Sequence, residues 1–231
     1  MRYHPDALML FAAGFGKRMG PLTATCPKPL VPVAGRALID HALDLCDDAG
    51  IARLVVNLHY LPDQIAAHLA ARTNVDLSVE MPEILETGGG LRQALPLLGP
   101  EPVFTLNTDA VWTGTNPLQT LRDGWDPARM DALLLLVPAA QAIGHTGKGD
   151  FDLDPQGRIC RGRDAVYVGA QILNTDGLAL IPDRVFSLNL LWDRMIASGR
   201  AFGVLHQGSW CDVGRPESIP LAEAMLRVPS V

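Results

Sequence analysis

Ala7-Leu8-Met9-Leu10-Phe11-Ala12-Ala13-Gly14-Phe15-Gly16-Lys17-Arg18-Met19-Gly20 is the stretch that decides the fold. Its first seven residues are apolar without a break. That is the pattern of a strand buried on both faces, which belongs to parallel sheets covered by helices. The run stops at Gly14 and continues as a loop carrying two cations. In an open α/β sheet, ligands bind beyond the carboxyl ends of the strands, so the loop lies where a ligand is expected. Glycines let main-chain N–H groups approach phosphate oxygens, and Lys17 and Arg18 can neutralise them. The spacing G-x-G-x-x-x-G departs from the dinucleotide fingerprint G-x-G-x-x-G, which argues against an NAD-dependent oxidoreductase. No Gly-Lys-Ser/Thr follows to make a Walker A loop. Alone, the segment also reads as a turn that happens to be basic.

Outward from this run, strand and helix signals alternate. Ala37 to Ala49 predicts a helix with Leu38, Ala42, Leu45 and Ala49 on one face, ended by Gly50. Leu54 to Leu58 and Asp76 to Glu80 read as strands around a helix over Asp63 to Ala71. Gly90 to Leu98 reads as a helix, Val103 to Asn107 as a strand, Pro117 to Trp125 as a helix and Ala132 to Val137 as a strand. This order predicts an α/β fold: a Rossmann-like, mostly parallel mixed sheet with helices on both faces. Beyond Pro138 a small β insertion is expected, a hairpin around Pro155-Gln156-Gly157. A strand over Tyr167 to Asn174, a helix over Leu188 to Ser198, a strand over Phe202 to His206 and a helix over Glu217 to Arg227 follow. There is no clear linker, so residues 1–231 are expected to form one domain.

The chain carries a net charge of −6, with 48% hydrophobic and 19% charged residues. Nothing in that balance attracts nucleic acid or an anionic membrane. Any phosphate must be met by a local cluster of donors. Of the 19 cations only Lys17, Lys28 and Lys148 are lysines, and two of them flank the loop, where a point charge is useful. Cys26, Cys46, Cys160 and Cys211 show no C-x-x-C spacing. No signal peptide precedes the first strand, so a cytoplasmic location is expected. The longest apolar runs have strand length, and no membrane span is expected.

Four further segments carry candidate chemistry. In Cys26-Pro27-Lys28-Pro29-Leu30 the prolines are expected to hold the backbone extended and present Lys28 with little freedom; a solvated loop lysine is the alternative. Leu106-Asn107-Thr108-Asp109 ends an apolar strand, where Asp109 can hold Mg²⁺ or simply close the strand with an Asx turn. Trp210-Cys211-Asp212-Val213-Gly214 offers a second carboxylate. Mg²⁺ takes one or two protein carboxylates plus phosphates and water, so Asp109 and Asp212 suffice. Glu86-Thr87-Gly88-Gly89-Gly90, read as a loop before a helix, permits close approach of a flat base or sugar. His59 follows a strand and is either a pocket residue or a satisfied structural histidine. A basic glycine loop, a held lysine and two metal carboxylates are what phosphoryl or nucleotidyl transfer needs, since that chemistry rests on positioning and charge neutralisation.

In this order the five segments resemble the sugar-1-phosphate nucleotidyltransferases. That family begins L-A-A-G-x-G-x-R-(M/L)-x-P-L-T, followed by P-K-P-L. Here Phe11 to Thr23 reads F-A-A-G-F-G-K-R-M-G-P-L-T, and Pro27-Lys28-Pro29-Leu30 follows. Within the family the chain is most similar to the branch that uridylylates N-acetylmuramate α-1-phosphate in cell-wall recycling. That likeness is carried by Glu86 to Gly90, by His145-Thr146-Gly147-Lys148-Gly149-Asp150-Phe151 and by the Trp-Cys-Asp-Val-Gly ending. Phe11 replaces a usual leucine, Thr108 a common glycine, and Tyr167-Val168-Gly169 a more usual Phe-x-Gly. No hexapeptide repeat is present, so the acetyltransferase half of bifunctional relatives is not expected.

The resemblance implies that Ala12, Ala13 and Gly14 lie along the nucleoside and that Gly16, Lys17 and Arg18 hold the triphosphate. Lys28 would contact the reacting phosphates, and Asp109 and Asp212 would bind Mg²⁺. Asn107 and Gly88 would line the pocket, with Glu86, Asp150, Lys148 and Asn107 toward the sugar. Residues 1–137 would serve mainly the nucleotide, and 138–231 mainly the sugar and closure. The implied partners are UTP and a sugar 1-phosphate, bound by a monomer or small homo-oligomer. Other members of the class transfer guanylyl to mannose 1-phosphate, thymidylyl or uridylyl to glucose 1-phosphate, or uridylyl to N-acetylglucosamine 1-phosphate. A nucleotide-sugar sensor without turnover is the alternative outside enzymes; it has no need of both metal carboxylates.

Overall fold

In the computed structural model, which describes residues 5–228, the opening apolar run forms β1 (Ala7–Phe11). Its side chains alternate between two cores: Leu8 and Leu10 enter one, Ala7 and Met9 the other. Both faces of the strand are buried, so every position is apolar. Next come β2 (Pro32–Val33), β3 (Arg36–Ala37), α1 (Leu38–Asp48), β4 (Arg53–Leu58), α2 (Pro62–Leu69) and β5 (Val75–Val79). The middle of the chain forms α3 (Glu86–Leu98), β6 (Val103–Asn107), β7 (Ala110–Trp112), α4 (Pro117–Gly124) and β8 (Ala132–Pro138). The remainder forms β9 (Phe151–Leu153), β10 (Ile159–Arg161), β11 (Ala165–Leu173), α5 (Asn189–Ala197), β12 (Ala201–Leu205), β13 (Trp210–Asp212) and α6 (Ser218–Arg227).

The main sheet is mixed, with a parallel centre. β1 lies between β4 and β6 and is parallel to both, and β5 extends the sheet beyond β4. The chain therefore runs from β1 outward through β4 and β5, then crosses back to β6 on the other side. The carboxyl ends of β1 and β6 are thus the point where strand order reverses, the place where α/β sheets bind ligands. β11 runs antiparallel to both β6 and β8, and β12 closes that edge parallel to β8. Residues 151–153 and 159–161 form the expected hairpin, which meets the sheet where Ala165 pairs with Phe151. The register of β11 shifts between Tyr167 and Gln171, and Gly169 has φ 83° there. Before the shift β11 lies beside β9; after it, beside β6.

Helices cover both faces, as expected. α1, α2 and α4 pack on the Leu8/Leu10 side. α3 and α5 pack on the Ala7/Met9 side. The buried stripe of α1 is Leu38, Ile39, Ala42, Leu43 and Cys46, with Leu45 only half-buried, so the stripe is rotated from the predicted one. α6 packs on a two-stranded ribbon of β7 and β13, which the sequence reading did not anticipate. Two local expectations are corrected. α3 begins at Glu86, so Gly88, Gly89 and Gly90 lie in its first turns and not in a preceding loop. Lys28–Leu30 is a turn of 3-10 helix and not an extended segment; Pro29, lacking an N–H, suits a position whose N–H has no helical partner. No helix among the described residues is long and apolar enough to cross a membrane.

Candidate active site

The glycine loop is clamped. Gly16 sits at φ 63°, in the left-handed region, and the Thr23 hydroxyl donates to its carbonyl at 3.0 Å. Met19 N–H donates to the same carbonyl at 2.8 Å and the Met19 side chain is fully buried. A Cβ at Gly16 would lie 2.9 Å from the Cβ of Lys28, so the loop rests directly on the lysine. Lys17 and Arg18 are left exposed, with the Lys17 ammonium 5.3 Å from the centre of the Phe15 ring.

Lys28 is 9% exposed and its Nζ lies 2.8 Å from Asp109 Oδ2. Asp109 follows β6, and its carbonyl accepts from Val213 N–H at 2.8 Å; Asp212 pairs with Ala110 across the ribbon. The ribbon therefore brings the two carboxylates together. Their acidities diverge. Burial pushes the Asp109 carboxyl up, but the Lys28 ammonium and the Arg18 guanidinium outweigh it and hold the group below its ordinary value. Burial and then the charge of Asp109 push Asp212 up, against Lys28, Arg18 and His145. Gly214 is squeezed between Asp212 and Arg18: a Cβ there would lie 2.8 Å from Asp212 Oδ2 and 3.1 Å from an Arg18 guanidinium nitrogen. Among the described residues Arg18 has no carboxylate within 4.0 Å.

Because its folded-state value is raised, ionised Asp212 opposes folding, and this loss is present above that value and disappears as falling pH protonates it. Asp212→Asn is therefore expected to raise the melting temperature at neutral pH in the presence of chelator, and to lose that gain in acid. A melting temperature at or below wild type would show that the two cations already neutralise the pair.

A cleft of about 430 Å³ opens at the carboxyl ends of β1 and β6. Ala12, Ala13, Gly14, Gly16, Lys17 and Arg18 line one side. Lys28, Asn107, Asp109 and Glu86 are among the residues on its other sides. Asn107 keeps its place because Gly169 has no side chain; a Cβ there would lie 2.8 Å from the Asn107 Cβ and Nδ2. The Thr108 hydroxyl donates to the Phe11 carbonyl at 2.7 Å, tying the ends of β6 and β1.

Four predicted residues do not line this cleft. Asp212 stands behind Gly214, which does line it. Gly88 is buried under Phe186, whose ring atoms would be 2.3 Å and 2.5 Å from a Cβ. The triple glycine thus admits the 184–186 segment and a buried polar pair to the helix, and does not open a face to a ligand. Asp150 is exposed and its carboxylate accepts from Tyr167 N–H at 2.9 Å, beside the register shift. Lys148 is exposed in the loop, where its carbonyl meets His145 Nε2 at 3.1 Å. His59 holds the Glu80 carbonyl through Nδ1 at 2.8 Å and stacks edge-on against Phe15.

The sequence reading missed Asn57 and Ile84, which line the cleft, and Glu80 behind it; Thr87 and Gly214, which also line it, were read only as members of their motifs and given no role. Asn57 Oδ1 accepts from Ala12 N–H at 2.7 Å, and its Nδ2 donates to Glu80 Oε1 at 2.7 Å. The one available signal was an asparagine inside the apolar run Leu54 to Leu58, since a polar side chain in a buried strand needs a partner.

Residues 8–145 match the model of the MobA-like NTP transferase domain. The chain is 42% identical to the N-acetylmuramate alpha-1-phosphate uridylyltransferase of Caulobacter vibrioides, across 98% of this chain and 99% of that relative. It is 34% identical to the protein of the same name from Neisseria meningitidis serogroup B, across 94% of this chain and 96% of the other. The crystal structure of HddC from Yersinia pseudotuberculosis complexed with GMP-PN has the same fold. It superposes with a TM-score of 0.78 over 96% of this chain and 100% of that one, at 20% identity. A phosphate-ready cleft at the switch point of a parallel sheet and near full-length likeness to these relatives lead to one assignment: the chain belongs to the MobA-like NTP transferase family, among its sugar-1-phosphate nucleotidyltransferases.

Proposed function

We propose that this enzyme transfers a uridylyl group from UTP to N-acetylmuramic acid α-1-phosphate, giving UDP-N-acetylmuramic acid and pyrophosphate, as a cytoplasmic step of peptidoglycan recycling. The observation that carries the reading is the convergence of Arg18, Lys28 and Asp109 on one cleft, in a chain 42% identical to a relative named for that reaction. A phosphate oxygen of the sugar 1-phosphate attacks the α-phosphorus of UTP. A new P–O bond forms, the bond from the α-phosphorus to the bridging oxygen breaks, and pyrophosphate leaves with those electrons. The second pKa of a phosphate monoester is roughly 6, so the nucleophile is ionised at pH 7 and no general base is needed.

Asp109 and Asp212 suit a hard divalent cation: both are oxygen donors, and the charge of Asp109 makes Asp212 harder to ionise, a repulsion that a cation relieves. Mg²⁺ held by them would neutralise and orient phosphate oxygens. Lys28, already paired with Asp109, keeps that carboxylate ionised and brings positive charge to the phosphates. Arg18, with no carboxylate partner among the described residues, supplies a guanidinium for the charge that builds on the α-phosphoryl and leaving groups. Ala12, Ala13, Gly14 and Asn107 line the nucleoside side in this reading, and Glu86, Asp150 and Lys148 serve the sugar. Residues 1–137 then work mainly on the nucleotide, and 138–231 on the sugar and on closure.

The test is a matrix of four nucleoside triphosphates against N-acetylmuramate, N-acetylglucosamine, glucose and mannose 1-phosphates, with pyrophosphate release read with and without Mg²⁺. Release is expected to be highest with UTP and N-acetylmuramate α-1-phosphate and to stop with chelator. A maximum elsewhere would assign another sugar. No release from folded protein in any well would leave a nucleotide-sugar sensor.

A further inference from the structure

Glu80 is 0% exposed, and no cation lies within 4.0 Å of its carboxylate among the described residues. A buried carboxylate is costly unless its oxygens are fully used. Here each has one strong partner: Oε1 accepts from Asn57 Nδ2 at 2.7 Å, and Oε2 accepts from Leu85 N–H at 2.7 Å. Asn57 in turn accepts from Ala12 N–H at 2.7 Å. The chain of bonds runs from Ala12, on the glycine-loop wall of the cleft, to Leu85, which leads into Glu86 and Thr87 on the facing wall. The main chain of residue 80 is itself pinned, its N–H to the Leu58 carbonyl and its carbonyl to His59 Nδ1, both at 2.8 Å. Room for the pair is made by Gly90, where a Cβ would lie 2.5 Å from Glu80 Oε1 and 3.1 Å from Asn57 Nδ2.

Resting on the nucleotidyltransferase reading above, we infer that Glu80 is a positioning residue for the nucleotide: it holds the two walls of the cleft at a fixed separation through main-chain atoms on each. The charge is required by donor counting. Asn57 must turn its oxygen to Ala12, so it can offer only N–H to residue 80. Leu85 also offers N–H. Residue 80 must therefore accept twice, which a carboxylate does and a carboxamide cannot. Glu80→Gln, nearly identical in shape, sets an NH₂ against one of the two donors. Asn57→Asp alone sets two carboxylates against each other. The double variant Asn57→Asp with Glu80→Gln restores every bond: the carboxylate introduced at position 57 accepts from Ala12 and from the amide introduced at position 80, and the oxygen of that amide accepts from Leu85.

The test measures KM and kcat for UTP and UTP affinity by calorimetry, with hydrogen exchange of the peptides carrying Ala12 and Leu85, well below each melting temperature. Glu80→Gln is expected to raise KM and Kd for UTP about tenfold, the loss typical of one well-made hydrogen bond to a charged group, with kcat changed much less. Exchange at Ala12 and Leu85 is expected to quicken. The double variant is expected to return both constants to within about threefold of wild type and to restore protection. Should Glu80→Gln not fold, Asn57→Asp carries the same expectation. A fall in activity that follows only the folded fraction, with UTP affinity unchanged, would make Glu80 a stability residue and overturn the inference. So would a double variant no better than the singles. Wild-type protein that neither binds UTP nor releases pyrophosphate would instead overturn the functional reading, and the exchange measurement would still report whether Glu80 ties the two walls.

Discussion

Asp109→Ala is expected to abolish detectable pyrophosphate release, a loss on the order of a thousandfold or more, because it removes a group that positions charge against the reacting phosphates. It is also expected to destabilise. Lys28 is 9% exposed, and without Asp109 its ammonium is buried with no carboxylate at 2.8 Å. Removing one partner of a fully buried pair costs about 3–5 kcal/mol. The Asp109 side chain is 32% exposed, so solvent screens the pair and about 1–2 kcal/mol is the better expectation. Asp212→Ala is expected to abolish release with no such loss, since Asp212 has no ion-pair partner within 4.0 Å among the described residues. Pyrophosphate assays paired with melting curves separate the two effects. Full activity in either variant would remove that carboxylate from the mechanism.

Gly16→Ala is expected to damage catalysis by a smaller but still large factor, through Lys28. An alanine at φ 63° costs about 1–2 kcal/mol of backbone strain. Its Cβ would also sit 2.9 Å from the Lys28 Cβ and 3.0 Å from the Thr23 Cγ2. Neither neighbour is the far end of a flexible chain: one is the root of the lysine, the other belongs to the residue whose hydroxyl clamps the loop. Relief has to move the lysine or the loop, and overpacking of this kind costs roughly 1–3 kcal/mol more. A displacement near 1 Å in a positioning group costs about a hundredfold in rate. The expected result is a kcat about a hundredfold lower with a reduced melting temperature. A stable variant with normal kcat would show that the loop and Lys28 adjust independently.

The architecture was legible where one physical pattern ruled. The unbroken run from Ala7 meant burial on both faces, and the periodicity over Ala37 to Ala49 meant a helix, which spans Leu38–Asp48. Glycine and proline spoiled the local readings because each has more than one use. Gly88 to Gly90 read as a permissive loop, yet they are helical positions emptied for Phe186, for the Arg184 carbonyl and for the Glu80 carboxylate. Prolines around Lys28 read as an extended brace, yet one of them starts a 3-10 turn. The strand-end carboxylates could be picked out singly, Asp109 by the apolar run before it. Their meeting depends on the β7–β13 ribbon, whose paired residues lie about a hundred positions apart and leave no local trace. Asn57 and Glu80 stayed hidden for the same reason: their bonds span 45 and 23 positions.

The placement of β11 also sets the order in which a nascent chain can finish its sheet. β1, β4, β5 and β6 are all synthesised by Asn107, but the strand that covers the free side of β6 is β11, which ends at Leu173. β8 emerges earlier and cannot substitute, because its partners are β11 and β12. A half-sheet of β1, β4, β5 and β6 formed on the ribosome would therefore keep an apolar, unpaired border from residue 108 to residue 173, for several seconds at about 5–20 residues per second. An open border of that kind is a template for pairing with another chain. The first 137 residues made alone would keep it permanently.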